Sequence, residues 1–187
     1  ALTLLALLVA AHAPAQMARR TTQTGTSRVG LHYLWKGDDA GQQAEVALGL
    51  LDPLLIKAYH TRIEFANGTL GSSSAVGLGL RELHATGKYS LTYYKGWHDD
   101  SLVRRERDSI EAAYALDLSA NWEIELSLTR YDNPVDLGGQ LTTPKVTLRY
   151  NAGSAFNLDF GWSSKDTLGG TEKNGDATWS AGISLRF

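Results

Sequence analysis

From Val29 onward apolar side chains recur at every second position, in runs of about nine to eleven residues, the length a tilted strand needs to cross a hydrocarbon layer. Val29, Leu31, Tyr33 and Trp35 share one face, and Ala44, Val46, Leu48 and Leu50 share the next. The series continues through Tyr59, Thr61, Ile63 and Phe65; Val76, Leu78 and Leu80; Tyr89, Leu91 and Tyr93; and alternate residues from Ile110 to Leu118. It closes with Trp122 to Leu128, Val146 to Tyr150, Phe156 to Trp162 and Trp179 to Phe187. The pattern predicts an all-β, antiparallel up-and-down transmembrane barrel of about ten strands. A mean hydropathy of -0.22 is compatible with it, because only every second residue of such a strand meets lipid.

The links between runs alternate in length. Asp52-Pro53, His84 to Lys88, Ser119 to Asn121 and Asn151 to Ser154 are tight and turn-rich, whereas Ala66 to Ser74, Asp99 to Asp108, Asp132 to Thr142 and Lys165 to Asp176 are longer and polar. Gly37 to Gly41 is a short exception. Short turns on one edge and long loops on the other suit a membrane barrel, and an even strand number places both termini on the short-turn side.

A soluble barrel also alternates, so the two faces decide. Trp35, Phe65, Trp97, Trp162 and Trp179 fall at the long-loop end of their runs; Tyr89, Trp122, Tyr150, Phe156 and Phe187 fall at the other. Two such girdles around an aliphatic middle that includes Leu48, Ile63, Leu126 and Leu158 describe a surface facing lipid. The opposite parity carries charges among glycines and is read as the lumen. Arg28, Glu45, Arg62 and Glu64 lie there in the first three runs, then Arg81, Glu111, Glu123 and Glu125, and finally Lys145, Arg149, Asp159 and Arg186, with His32, His60 and Asp117 on the same parity. Acids and bases nearly balance, which allows pairing across a narrow interior.

Composition removes other classes. The 18 Lys plus Arg against 20 Asp plus Glu exclude a broad basic field for nucleic acid, and the lack of cysteine excludes disulfides and thiolate metal sites. No phosphate-cradling glycine loop or zinc spacing occurs, so no cofactor is expected.

Residues 2–11 form an apolar run the length of a secretory h-region, followed by the cleavage site Ala13-Pro14-Ala15. Residues 1–15 are therefore read as a signal peptide with its basic n-region expected ahead of Ala1, 16–27 as a periplasmic segment, and 28–187 as the barrel. The last run, Ser180 to Phe187, resembles the terminal signal of Gram-negative outer-membrane barrels, with Ser180, Gly182, Leu185 and an aromatic final Phe187 on the matching positions. That resemblance implies insertion by the barrel-assembly machinery into the outer membrane, among outer-membrane lipid and lipopolysaccharide. The stretch Tyr33 to Asp39 followed by Val46 to Leu50 resembles small YfaZ-like outer-membrane proteins, and the whole a small porin-like barrel.

About eight strands give an interior that side chains fill, and 16 or more an aqueous channel, so ten point to a narrow pore for small ions or solutes, or to a structural or ligand-binding barrel. The alternative is an enzyme of the omptin-protease or lipid A-modifying kind, which place a His at the outer rim; Trp97-His98-Asp99-Asp100 stands at such a rim. Arg104, Arg105 and Arg107 are candidate contacts for lipopolysaccharide phosphates, and Asp38-Asp39 and Asp99-Asp100 offer paired oxygen donors to a divalent ion.

Overall fold

In a computed structural model the described residues are 27–51, 53–84, 87–99, 104–131, 141–153, 155–164 and 177–187; the signal-peptide and periplasmic segments up to residue 26 lie outside them. The alternating runs become strands β1 (Arg28–Lys36), β2 (Asp39–Leu51), β3 (Leu54–Glu64), β4 (Leu70–Leu83), β5 (Gly87–Asp99) and β6 (Arg104–Glu106). They continue as β7 (Ser109–Asp117), β8 (Trp122–Tyr131), β9 (Leu141–Asn151), β10 (Phe156–Ser163) and β11 (Thr178–Arg186). β6 and β7 pair in turn with the upper and lower parts of β5 in one continuous register. The Arg107 amide carries that ladder across the junction by donating to the Gly96 carbonyl at 2.9 Å. The wall therefore has ten staves, each antiparallel to the next, and β1 pairs with β11 to close it.

Pairing also fixes the tilt. Partners traced from Arg28, at the short-turn end of β1, run through Ala47, Lys57, Gly77, Tyr94 and Ser109 to Tyr131, at the long-loop end of β8. Hydrogen bonds perpendicular to the strands thus climb the wall, as the staggered register of a closed barrel requires.

The faces are inverted relative to a water-soluble barrel. Leu31 is 59% exposed and Leu78 60% on the outside, whereas Thr92 and Asp159 are fully buried within. Outward aromatics gather at both edges: Trp35 pairs with Trp179 and Trp179 with Trp162 at the long-loop end, and Trp122 packs on Tyr150 at the other.

One strand departs from the sequence reading. In β3 the inward face is Leu55, Lys57, Tyr59, Thr61 and Ile63, and the outward one runs from Leu54 and Ile56 to His60, Arg62 and Glu64. The expectation of Arg62, Glu64 and His60 in the lumen, and of Tyr59, Thr61 and Ile63 against lipid, is therefore corrected. The cause is register: directly opposed antiparallel residues share a face, and the turn at Pro53 sets Ile56 against Leu48 and Ala58 against Val46, both outward. His60 then bonds the Ser74 hydroxyl at 2.8 Å on the outer surface. Phe65, expected in the outer girdle, packs instead on Leu34 and Ile63 at the inner mouth.

The segment from Ala66 to Ser74 is mostly strand rather than loop. Asn67 accepts from the Thr69 amide at 2.9 Å and Gly68 takes a φ of 79°, so the reversal is tight and β4 begins at Leu70.

Leu126→Arg, in the outward apolar band, should cost about 2–4 kcal/mol in urea unfolding from vesicles, and Ser127→Arg clearly less; equal costs would invert the assignment. For β3, a cysteine at Arg62 should react readily with a membrane-impermeant maleimide and one at Ile63 slowly.

Candidate functional site

Inward side chains divide the lumen into three levels. Nearest the short turns, a row of neighbouring strands places Glu123 opposite Arg149 and Arg149 opposite Asp159. Arg149 donates from Nε to Asp159 Oδ1 at 2.6 Å and from its other arm to Glu123, which also takes Lys88 Nζ at 2.7 Å. One guanidinium, 5% exposed, is thus clamped between two carboxylates, and each buried charge has a partner. Arg81 is buried on the inward face of β4, and Asp117 and Arg186 are half-buried on the inward parity of their strands.

A second set of pairs lies farther around the wall. Arg28 lies 3.1 Å from Glu45, which also faces His32 at 3.5 Å. Lys57 on β3 spans β4 and β5 to reach Glu111 on β7 at 2.7 Å, and the Tyr94 hydroxyl donates to the same carboxylate at 3.3 Å. That span depends on the small inward row of β4. A Cβ on Gly77 would come within 2.6 Å of the Tyr94 ring and 2.7 Å of Thr92, so glycine is what lets these side chains lie across the wall. Glu125 and Lys145 complete this level.

Toward the long loops the lining turns neutral. A cavity of about 130 Å³ is walled by Gln43, Tyr59, Thr61, Ser109, Thr129 and Thr178, and its floor is the charged level formed by Arg28, Glu45, Lys57 and Glu111. Glu123, Arg149 and Asp159 are outside its lining. At the mouth Leu34, Ile63 and Phe65 make an apolar patch on one side, and on another the Arg107 guanidinium sits 4.1 Å over the Tyr131 ring.

Ten of the twelve charges expected in the lumen are on the inward parity; Arg62 and Glu64 are not. Lys57 and Lys88 were missed, because Lys57 lies in the strand whose parity was inverted and Lys88 in what reads as a turn. At the rim, alternation turns His98 inward, where it is 8% exposed, and Asp99 outward. Asp100 lies outside the described residues. Arg107 is turned over Tyr131 at the lumen mouth and so is corrected as a lipopolysaccharide contact; the side chains of Arg104 and Arg105 lie outside those described. Asp39 accepts the Ala66 amide at 2.8 Å, tying two adjacent reversals together.

In the terminal strand Ser180 and Gly182 face inward and Leu185 and Phe187 outward. Gly182 has a packing role of its own, since a side chain there would collide with the His32 ring and the Leu31 carbonyl.

No protein-family model matches the sequence. No curated protein matches it either. Solved structures do resemble the fold. The NanC porin aligns with a TM-score of 0.51 and 14% identity, covering 87% of this chain and 100% of that one. The KdgM porin aligns with a TM-score of 0.51 and 6% identity, covering 86% of this chain and 99% of that one. At such identities the likeness is one of architecture: the chain has the closed antiparallel barrel fold of outer-membrane porins.

Proposed function

We propose that this chain is a small outer-membrane barrel, with short turns and both termini in the periplasm, that forms a narrow pore for water and small ions. The observation that carries this reading is a polar, charge-paired interior inside an apolar, lipid-suited exterior. A cavity of about 130 Å³ over a floor of crossing ion pairs is well below the roughly 300–1,000 Å³ of pockets that hold metabolites. The similar KdgM structure is in complex with a disordered oligogalacturonate; the floor formed by Lys57 and Glu111 here favours much smaller cargo. β11 is the strand through which the assembly machinery inserts the barrel, and Arg62 and Arg130, outward near the long-loop edge, face lipopolysaccharide.

Single-channel recording of the refolded protein in a planar bilayer tests the pore. Wild type should give small, stable openings, and the double variant Lys57→Ala/Glu111→Ala, which removes the bar across the lumen, should raise conductance about threefold or more by widening the constriction. Silence in both would overturn the reading in favour of a structural barrel. Arg149→Met, which leaves buried Asp159 without its ion partner and Glu123 with Lys88 alone, should lower unfolding stability by about 3–5 kcal/mol, whereas the Lys57/Glu111 double change should cost less than either single change. Phe187→Ala should reduce insertion in cells and leave refolding into vesicles nearly unchanged.

A further inference from the structure

The outward face contains a depression whose floor is a single small residue. Opposed residues across four strands form the row Leu80, Leu91, Ala112 and Leu128. The three leucines stand half-exposed, and the Ala112 methyl leaves a gap between the last two. An apolar groove of about 780 Å³ results, open along its length to the surroundings of the barrel. The next row toward the short turns is Glu82, Tyr89, Tyr114 and Leu126. Here the Tyr89 and Tyr114 rings stack with centroids 4.5 Å apart, His84 meets Tyr89 edge-on at 4.9 Å, and the Glu82 carboxylate lies 3.5 Å from His84. The groove therefore begins at a cluster of aromatic rings with polar tips and runs up into the aliphatic middle of the band.

Within a bilayer such a groove does not stay empty. Its walls would forfeit dispersion contacts along their whole length, and water would find no polar partners there. A flexible hydrocarbon chain fits it, since the walls are leucine and the groove reaches from the ring cluster to the leucine row across four strands. The foot selects among headgroups: the Glu82 carboxylate, three-quarters exposed, attracts an ammonium and repels an anionic group.

We propose that this groove binds one phospholipid of the leaflet at the short-turn edge, an acyl chain lying over Ala112 and an ammonium-bearing headgroup against Glu82. The proposal rests on the membrane-barrel reading above and adds a retained lipid to it. It applies the lipid-side counterpart of core packing, in which a void beside large apolar side chains is filled by whatever apolar group is at hand.

The test is native mass spectrometry of protein refolded into vesicles of mixed phosphatidylethanolamine and phosphatidylglycerol and then released into mild detergent. Wild type should retain one phospholipid, predominantly phosphatidylethanolamine. Ala112→Phe and the smaller Ala112→Ile, each checked for the heat-modifiable mobility of a folded barrel, should retain at least tenfold less. Glu82→Gln should keep the lipid and lose the headgroup preference. Equal retention by either folded Ala112 variant, or none by folded wild type, would overturn the proposal while leaving the membrane reading intact. Failure of wild type to enter vesicles at all would overturn both.

Discussion

On the membrane-barrel reading a strand surrounded by hydrocarbon has no water to satisfy its amides, so the pairing of β1 with β11 is the interaction on which everything else in this molecule depends. The seam runs from Arg28 opposite Arg186 to Trp35 opposite Trp179, and Ser27 and Phe187 continue it with reciprocal backbone bonds of 2.9 and 3.0 Å. Left open, it would present two bare edges of unpaired donors and acceptors. The His32 ring lies against Gly182 at this seam, so the two chain ends also meet through side-chain packing.

Closure at ten staves sets the width of the interior, and that width dictates its chemistry. The lumen is too narrow to be left as bulk water and too polar in its lining to be a hydrocarbon core, so charged groups meet across it. Arg149 is held between Glu123 and Asp159 on adjoining strands, and Lys57 crosses two strands to Glu111. The contrast follows from the space above the wall. Where β4 presents Gly77 and Gly79 to the interior, neighbouring side chains lie flat across it; where β9 and β10 oppose Arg149 to Asp159, pairing is local. The charged pairs sit toward the short turns and the hydroxyl-lined cavity toward the long loops.

The exterior obeys a different requirement, since on the membrane-barrel reading lipid rather than protein completes the packing there. Large aliphatic side chains fill most of the band, and the gap over Ala112 is one that only the surroundings can fill. β3 shows where the band stops: its outward face is apolar through Ala58 and polar from His60 on.

Strand number, alternation, the aromatic edges and ten of the expected lumen charges are legible in the sequence, because a period of two exposes parity directly wherever one face is uniformly apolar. Residues 54–64 defeat that reading, since Leu54, Leu55 and Ile56 give both parities an apolar claim and the strand runs past the band. Only the register across the turn at Pro53, which opposes Ala58 to Val46, decides which face turns inward. The same holds for the site. The sequence by itself determined a barrel with a polar inside and an apolar outside, because those are properties of each strand alone. The pairing of Lys57 with Glu111, the turning of Arg107 onto Tyr131, and the groove over Ala112 were decided by the tertiary structure, because each depends on how far one strand is displaced along another.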